Sequence, residues 1–301
     1  MLKKLLLVLS LCAFLPGVAH ADAPAEAKMT EEQFLAKLNF QQGKINLGGG
    51  VASLDLPATF RYLGAADTER LLVEGWGNMP GNTTLGMIVP AGVSPLSEAG
   101  WGVIVTFDKD GHVKDDDADS IKYDELLKTM QEETAAASEE RKKAGYDSMA
   151  LVGWAEKPSY DKASHKLFWA KELKTGNNPQ NSLNYNIRVL GREGVLVLNA
   201  VAGMHQIDTI KKEMKHVTAF TEFSPGNRYA DFNEKTDRVA EYGIAALVAG
   251  GLAAKMGLFA KLLAFLLLFK KFVIIGVIAI GAALLKWFGN RKAKVKVSLE
   301  K

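Results

Sequence analysis

Three short strings carry the residue types of serine chemistry. Ser159-Tyr160-Asp161-Lys162 fits S-x-x-K, in which a lysine amine would take the proton of a serine hydroxyl; Lys174-Thr175-Gly176 and Ser182-Leu183-Asn184 resemble its usual companions, K-T-G and S-x-N. Their order is wrong, they crowd together, and Ser159 follows Pro158 in what reads as a hairpin loop instead of opening a helix. Gly92-Val93-Ser94-Pro95-Leu96 begins like a nucleophile elbow but has Leu where the second Gly belongs. No catalytic nucleophile is assigned.

Metal and nucleotide chemistry fare no better. His112, His165, His205 and His216 have neither H-E-x-x-H nor i,i+4 spacing. Asp108, Asp110, Asp115, Asp116, Asp117 and Asp119 offer the oxygen ligands that suit Ca²⁺, but Gly111 comes too early for an EF-hand, and a solvated acidic loop is the simpler reading. Gly48-Gly49-Gly50 lacks the Lys-Ser/Thr of a P-loop, and Gly75-Trp76-Gly77 lacks a third Gly three residues on. No metal or other cofactor is expected.

Charge and hydropathy divide the chain of 301 residues into parts. Lys3 and Lys4, the apolar run Leu5–Leu15 and the small-x-small site Ala19-His20-Ala21 read as a signal peptide over residues 1–21. The single cysteine, Cys12, lies inside it, so the mature chain is expected to lack disulfides and thiolate sites. Residues 239–290 read as a membrane stem and 291–301 as a basic tail, leaving 22–238 as one exported domain. The formal charge of +3 becomes +1 without Lys3 and Lys4. Residues 255–301 carry ten Lys/Arg and one Glu, which leaves the exported domain at about −8. That balance argues against nucleic-acid binding, which needs cations opposite phosphates.

Ala240–Phe288 would measure about 73 Å as helix, too long for one upright span of a core of about 30 Å. A single span over Phe272–Phe288 with a cytoplasmic tail is favoured, because two spans would put Lys261 near mid-bilayer. Two spans turning at Lys270-Lys271 are the alternative. Ala246, Gly250 and Ala254 have the small-xxx-small spacing through which such stems self-associate.

Periodicity then supplies the elements. Thr30-Glu31-Glu32-Gln33 matches a capping box ahead of Phe34, Leu35 and Leu38. Ile45–Leu56 reads as a hairpin around the three glycines, Asp67–Glu74 as a helix, and Leu85–Val89 and Trp101–Phe107 as strands. Tyr123–Ala144 is a long helix with Leu126, Leu127 and Met130 on one face and a Glu139/Lys143 pair on the other. Leu183–Val189 alternates apolar and polar. Val195–Ala202 is apolar on both faces and reads as a central strand, in which Asn199 is expected to be a buried amide satisfied by backbone. His205–Phe220 closes the domain as an amphipathic helix. The result is an α+β domain, a mainly antiparallel sheet covered by helices on both faces, with a C-terminal transmembrane helical stem.

The densest stretch, LVGWAEKPSYDKASHKLFWAKEL from Leu151 to Leu173, is explained by a hairpin turning about Asp161. Glu156 would face Lys166, Trp154 would face Phe168 and Gly153 would face Trp169, matching charge, ring and size. Loops on rigid strands often carry function. The candidate interaction surface is therefore Lys157, Tyr160 and His165 in the loop, with Asn184 and Arg188 on the polar face of the next strand.

The blocks INLGGGVASLDLP, VGWAEKPSYDKASHKLFWAKEL and LNYNIRVLGREGVLVLNAVAG, with the Lys-punctuated apolar C-terminus, resemble the bacterial membrane-anchored family known as domain of unknown function 2167. The resemblance spans nearly the whole mature chain. It implies an exported domain with a C-terminal anchor and brings no catalytic residues. The order of elements is also similar to Mog1/PsbP-like α/β/α sandwiches. The leading expectation is a non-catalytic periplasmic binding or assembly protein held at the inner membrane, with an envelope protein as partner. The alternative is an envelope hydrolase or carbohydrate-active enzyme using separated carboxylates.

Overall fold

A computed structural model describes residues 29–249. Glu31–Leu35 forms helix α1, in a first compact unit ending at Leu38. Its capping box is present: the Thr30 hydroxyl accepts from the Gln33 amide at 3.2 Å, and Gln33 Oε1 accepts from the Thr30 amide at 3.0 Å.

The second unit begins at Asn39. Strands β1 (Phe40–Gln41), β2 (Gly43–Leu47), β3 (Ala52–Leu56) and β4 (Phe60–Gly64) lead to helix α2 (Ala65–Arg70), which continues as a π-helical turn through Gly75. Strands β5 (Gly86–Pro90) and β6 (Gly102–Asp108) precede the long helix α3 (Tyr123–Lys143). Four longer strands follow: β7 (Met149–Asp161), β8 (Lys166–Thr175), β9 (Ser182–Leu190) and β10 (Val195–Gly203). Helix α4 (Ile207–Ala219), strand β11 (Thr221–Phe223) and helix α5 (Ile244–Ala249) end the described chain.

Eight strands form one sheet in the order β1-β4-β5-β6-β10-β9-β8-β7, with every pairing antiparallel. The apolar strand β10 is central, as its two-sided hydrophobicity requires. Alternation assigns its neighbours to two cores. Leu183, Tyr185, Ile187 and Val189 join α4 and the small antiparallel sheet β11-β3-β2 in one cluster. Leu167, Trp169, Leu190 and Val195 join α3 and α5 in the other. Strands β1, β4 and β11 had no recognisable periodicity, because β1 and β11 span only two and three residues and the five residues of β4 bury side chains on both faces.

Hairpin β7–β8 corrects the expected register. The strands run past Tyr160↔Leu167 and Asp161↔Lys166 to a tight turn at residues 162–165. Asp161 closes that turn by accepting from the Ala163 amide at 2.9 Å and the Ser164 hydroxyl at 2.6 Å. His165 adopts φ 51° there. Three bulges then shift the pairing, so Glu156 faces Ala170, Trp154 faces Lys171 and Gly153 faces Glu172. Because β7 is an edge strand, it tolerates Pro158 and the bulges. On α3 the ion pairs are Glu139–Lys142 and Glu140–Lys143, one residue closer than the expected Glu139/Lys143 pair.

Residues 239–249, placed at the start of the stem by their hydropathy, pack on the sheet domain. Val239 bridges to His112, and Ile244, Leu247 and Val248 are buried with α3. Among the described residues no helix is long and apolar enough to cross a membrane. The expected signal peptide over residues 1–21, the expected span Phe272–Phe288 and the expected tail 291–301 lie outside them.

Candidate functional site

Loops at one end of the large sheet enclose a cleft of about 770 Å³, within the range of small-molecule sites. Its floor is sheet surface: Ile104 on β6, Asn199 and Val201 on β10, and Asn184 on β9. One wall comes from the segment after α2, with Trp76, Asn78 and Asn82, and from the β5–β6 loop. The opposite wall comes from the end of α3, with Arg141, Tyr146 and Asp147, and from the β8–β9 loop, with Asn178, Gln180 and Asn181.

Local bonds fix these walls. Trp76 Nε1 donates to the Pro95 carbonyl at 2.9 Å and so ties the two loops of its wall together. Gln180 N donates to Asn178 Oδ1 at 2.9 Å, and Asn181 Nδ2 to Glu172 Oε1 at 2.6 Å. Gly77 (φ 68°) and Gly176 (φ 50°) hold left-handed turns at the two rims. The Arg141 guanidinium lies 5.7 Å from the Tyr146 ring centroid.

The chemistry of the lining is uneven. Among the described residues it contains seven carboxamides, two aromatics, one arginine and a single carboxylate, Asp147. Carboxamides both donate and accept, so this surface suits hydroxyl- and amide-bearing ligands. The described lining does not offer the facing carboxylate pair of a glycosidase.

Asn199 is a correction. Its Oδ1 is buried without a hydrogen-bond partner, and the residue sits on the cleft floor instead of being satisfied by backbone. The cleft as a whole escaped sequence reading. The signal available was the amide-rich run Asn177-Asn178-Pro179-Gln180-Asn181 opposite Asn78 and Asn82.

The five candidate surface residues separate into three places. Lys157 is exposed and pairs with Asp124 at 3.2 Å. Asn184 lines the cleft, whereas Arg188 lies deep on the same sheet face, its guanidinium 4.9 Å over the Trp169 ring. Tyr160 and His165 do meet, at 3.3 Å, around a residue the surface did not include. Asp115 accepts from Tyr160 at 2.8 Å and from Tyr229 at 3.3 Å. His165 stacks on Tyr229 (4.0 Å), Tyr229 packs tilted against His112 (4.3 Å), and His112 stacks on Phe232 (3.9 Å). Burial alone would raise the Asp115 pKa, but the two tyrosine hydroxyls and His165 outweigh it and hold the carboxyl below its usual range.

Three other acidic-loop carboxylates also face donors of this chain. Asp110 accepts from Tyr242 at 2.8 Å, Asp117 accepts from the Ile244 amide at 2.9 Å, and Asp119 pairs with Lys162. Among the described residues no group of three or more His, Cys, Asp or Glu is placed to hold a metal ion.

His112 predicts a pH dependence. Burial lowers its pKa from 6.5, and Nδ1 has no partner. The unfolded chain therefore takes up this proton first. The stabilisation is fully present above about pH 6.5 and is lost as pH falls through the folded value. Urea midpoints measured from about pH 7.5 to about 5.5 should fall with pH, and His112→Phe should flatten the slope. An equal slope in that variant would contradict the assignment.

No curated protein matches the sequence. The solution structure of cyanobacterial PsbP (CyanoP) from Synechocystis sp. PCC 6803 has 10% identity and a TM-score of 0.35, covering 60% of this chain and 91% of that one. The crystal structure of the Saccharomyces cerevisiae Ran-binding protein Mog1p has 8% identity and a TM-score of 0.30, covering 62% and 96%. The family described as protein of unknown function DUF2167 matches residues 39–281, and the chain belongs to that family.

Proposed function

We propose that the protein is a non-catalytic binding protein of the bacterial cell envelope, anchored at the inner membrane with its sheet domain in the periplasm. Its ligand occupies the cleft between Trp76 and Tyr146. The observation that carries this reading is the lining: seven carboxamides and two aromatics around one carboxylate. Such a surface recognises hydroxyls and amides by paired donors and acceptors while ring faces cover apolar parts of the ligand. The envelope location rests on the signal-like residues 1–21 and the apolar residues 272–288.

A hydrolase would need a second carboxylate opposite Asp147 or a nucleophile–base pair, and the described lining supplies neither. Asp147 is therefore read as part of the recognition surface.

A photo-crosslinking amino acid at Asn178, on the rim, tests the reading in intact cells. One discrete adduct is expected, weakened by Trp76→Ala and retained in Asp147→Asn. No adduct, or one indifferent to Trp76, would refute the cleft as the binding site.

A further inference from the structure

We propose that Lys171 and Arg188, beside the floor of the cleft, bind an oxyanion, a carboxylate or phosphate group carried by the ligand of that cleft. The proposal rests on the cleft being a binding site and adds the charge of what it takes.

Strand pairing fixes the placement. Lys171 faces Asn184, which faces Val201, so the lysine stands one strand beyond two residues of the cleft floor and on the same side of the sheet. Asn186 likewise lies between Trp169 and the floor residue Asn199. Arg188 follows two residues along β9, again on that face, and its Nη1 reaches Asn186 Oδ1 at 3.5 Å.

Both residues are partly buried, and although neither is itself in the cleft lining, both stand on the sheet face that forms its floor. Neither has a carboxylate within ion-pair distance among the described residues. Lys171 makes no hydrogen bond there, and Arg188 has only its long contact to Asn186 and its stacking on Trp169. Asp108 and Tyr242 act on Arg188 from farther away.

The neighbouring groups add donors. Trp154, which faces Lys171 across β7–β8, and Trp169 each bury an indole N–H that has no acceptor. Unpaired buried charge and unmet donors each cost free energy, and an oxyanion relieves both. Burial, and secondly the adjacent Arg188 charge, lower the lysine's pKa to about 8. Burial also brings Arg188 down to about 10.

The test uses the full-length protein in detergent with inorganic phosphate, and in parallel acetate, against chloride at constant ionic strength. Thermal unfolding and tryptophan fluorescence are the readouts. A saturable response to phosphate or acetate is expected, and the tighter of the two assigns the ligand group as phosphoryl or carboxylate. Lys171→Met and Arg188→Met should each weaken the response by about tenfold or more, whereas Lys171→Arg keeps it. In chloride both methionine variants should melt at or above the wild-type temperature, because an unpaired buried charge has been removed; a purely structural role predicts a lower one. The wild-type response should fade as pH rises through about 8, where the lysine loses its charge. No saturable response to either anion, or an undiminished one in both methionine variants, would overturn the proposal. A Trp76-dependent adduct at Asn178 would leave the cleft standing in that case.

Discussion

Trp169→Ala is expected to destabilise the domain by roughly 3–5 kcal/mol, the range for deleting a buried aromatic from a packed core. The indole is 1% exposed and packs with Leu151, Leu167, Leu173, Leu190 and Val195, between the sheet and α3. A close-packed core relaxes only partly into a void of that size. The deletion also removes the ring beneath the Arg188 guanidinium. Trp169→Phe should cost much less, about 1.5 kcal/mol or below, since the indole N–H it gives up has no partner. Trp154 is only half-buried on the edge strand, and its alanine variant should lose clearly less than that of Trp169. Chemical unfolding followed by circular dichroism measures all three. A wild-type midpoint for Trp169→Ala would contradict this packing.

Gly86→Ala is expected to cost about 3 kcal/mol although it adds one methyl group. A Cβ at this position would overlap the Tyr62 hydroxyl, its ring carbon and the Leu63 carbonyl. Gly86 pairs with Gly64 across β4–β5, so the strands approach there without side chains between them. Tyr62 cannot swing away freely, because its hydroxyl donates to the Leu85 carbonyl at 2.6 Å and its ring is buried in the larger core. Burial raises its pKa to about 12, so the hydroxyl keeps its proton and remains a donor. The substitution therefore opens a backbone pairing or breaks a part-buried hydrogen bond. Gly49→Ala makes the contrast: nothing lies within 4 Å of its Cβ, and only the left-handed φ of 71° opposes it. That variant should lose about 1 kcal/mol. Thermal melts of the pair decide the point, and equal melting temperatures would count against the steric account.

Much of the local structure could be read directly from residue order. The Thr30–Gln33 capping box, the hairpin around Gly48–Gly50, α3 and the strands β9 and β10 fall within a residue or two of their expected limits. Each depends on caps, turns or periodicity between residues close in sequence, so the information lies within a short window. The central position of β10 was legible for the same reason: two apolar faces require cover on both sides.

Tertiary structure decided the rest. Residue types in β7–β8 fit more than one pairing, and the choice was made by bulges and a turn that the flanking strand β9 and helix α3 hold in place. The cleft joins Trp76, Tyr146, Asn178 and Asn199, far apart in the chain, so no spacing announces it. The same polar alternation that marks Asn184 and Arg188 as one strand face puts the first in a cleft and the second beneath it. A strand pattern specifies which way a side chain points; what stands opposite depends on strand order and on the loops that close over the sheet, which are long-range properties of the fold.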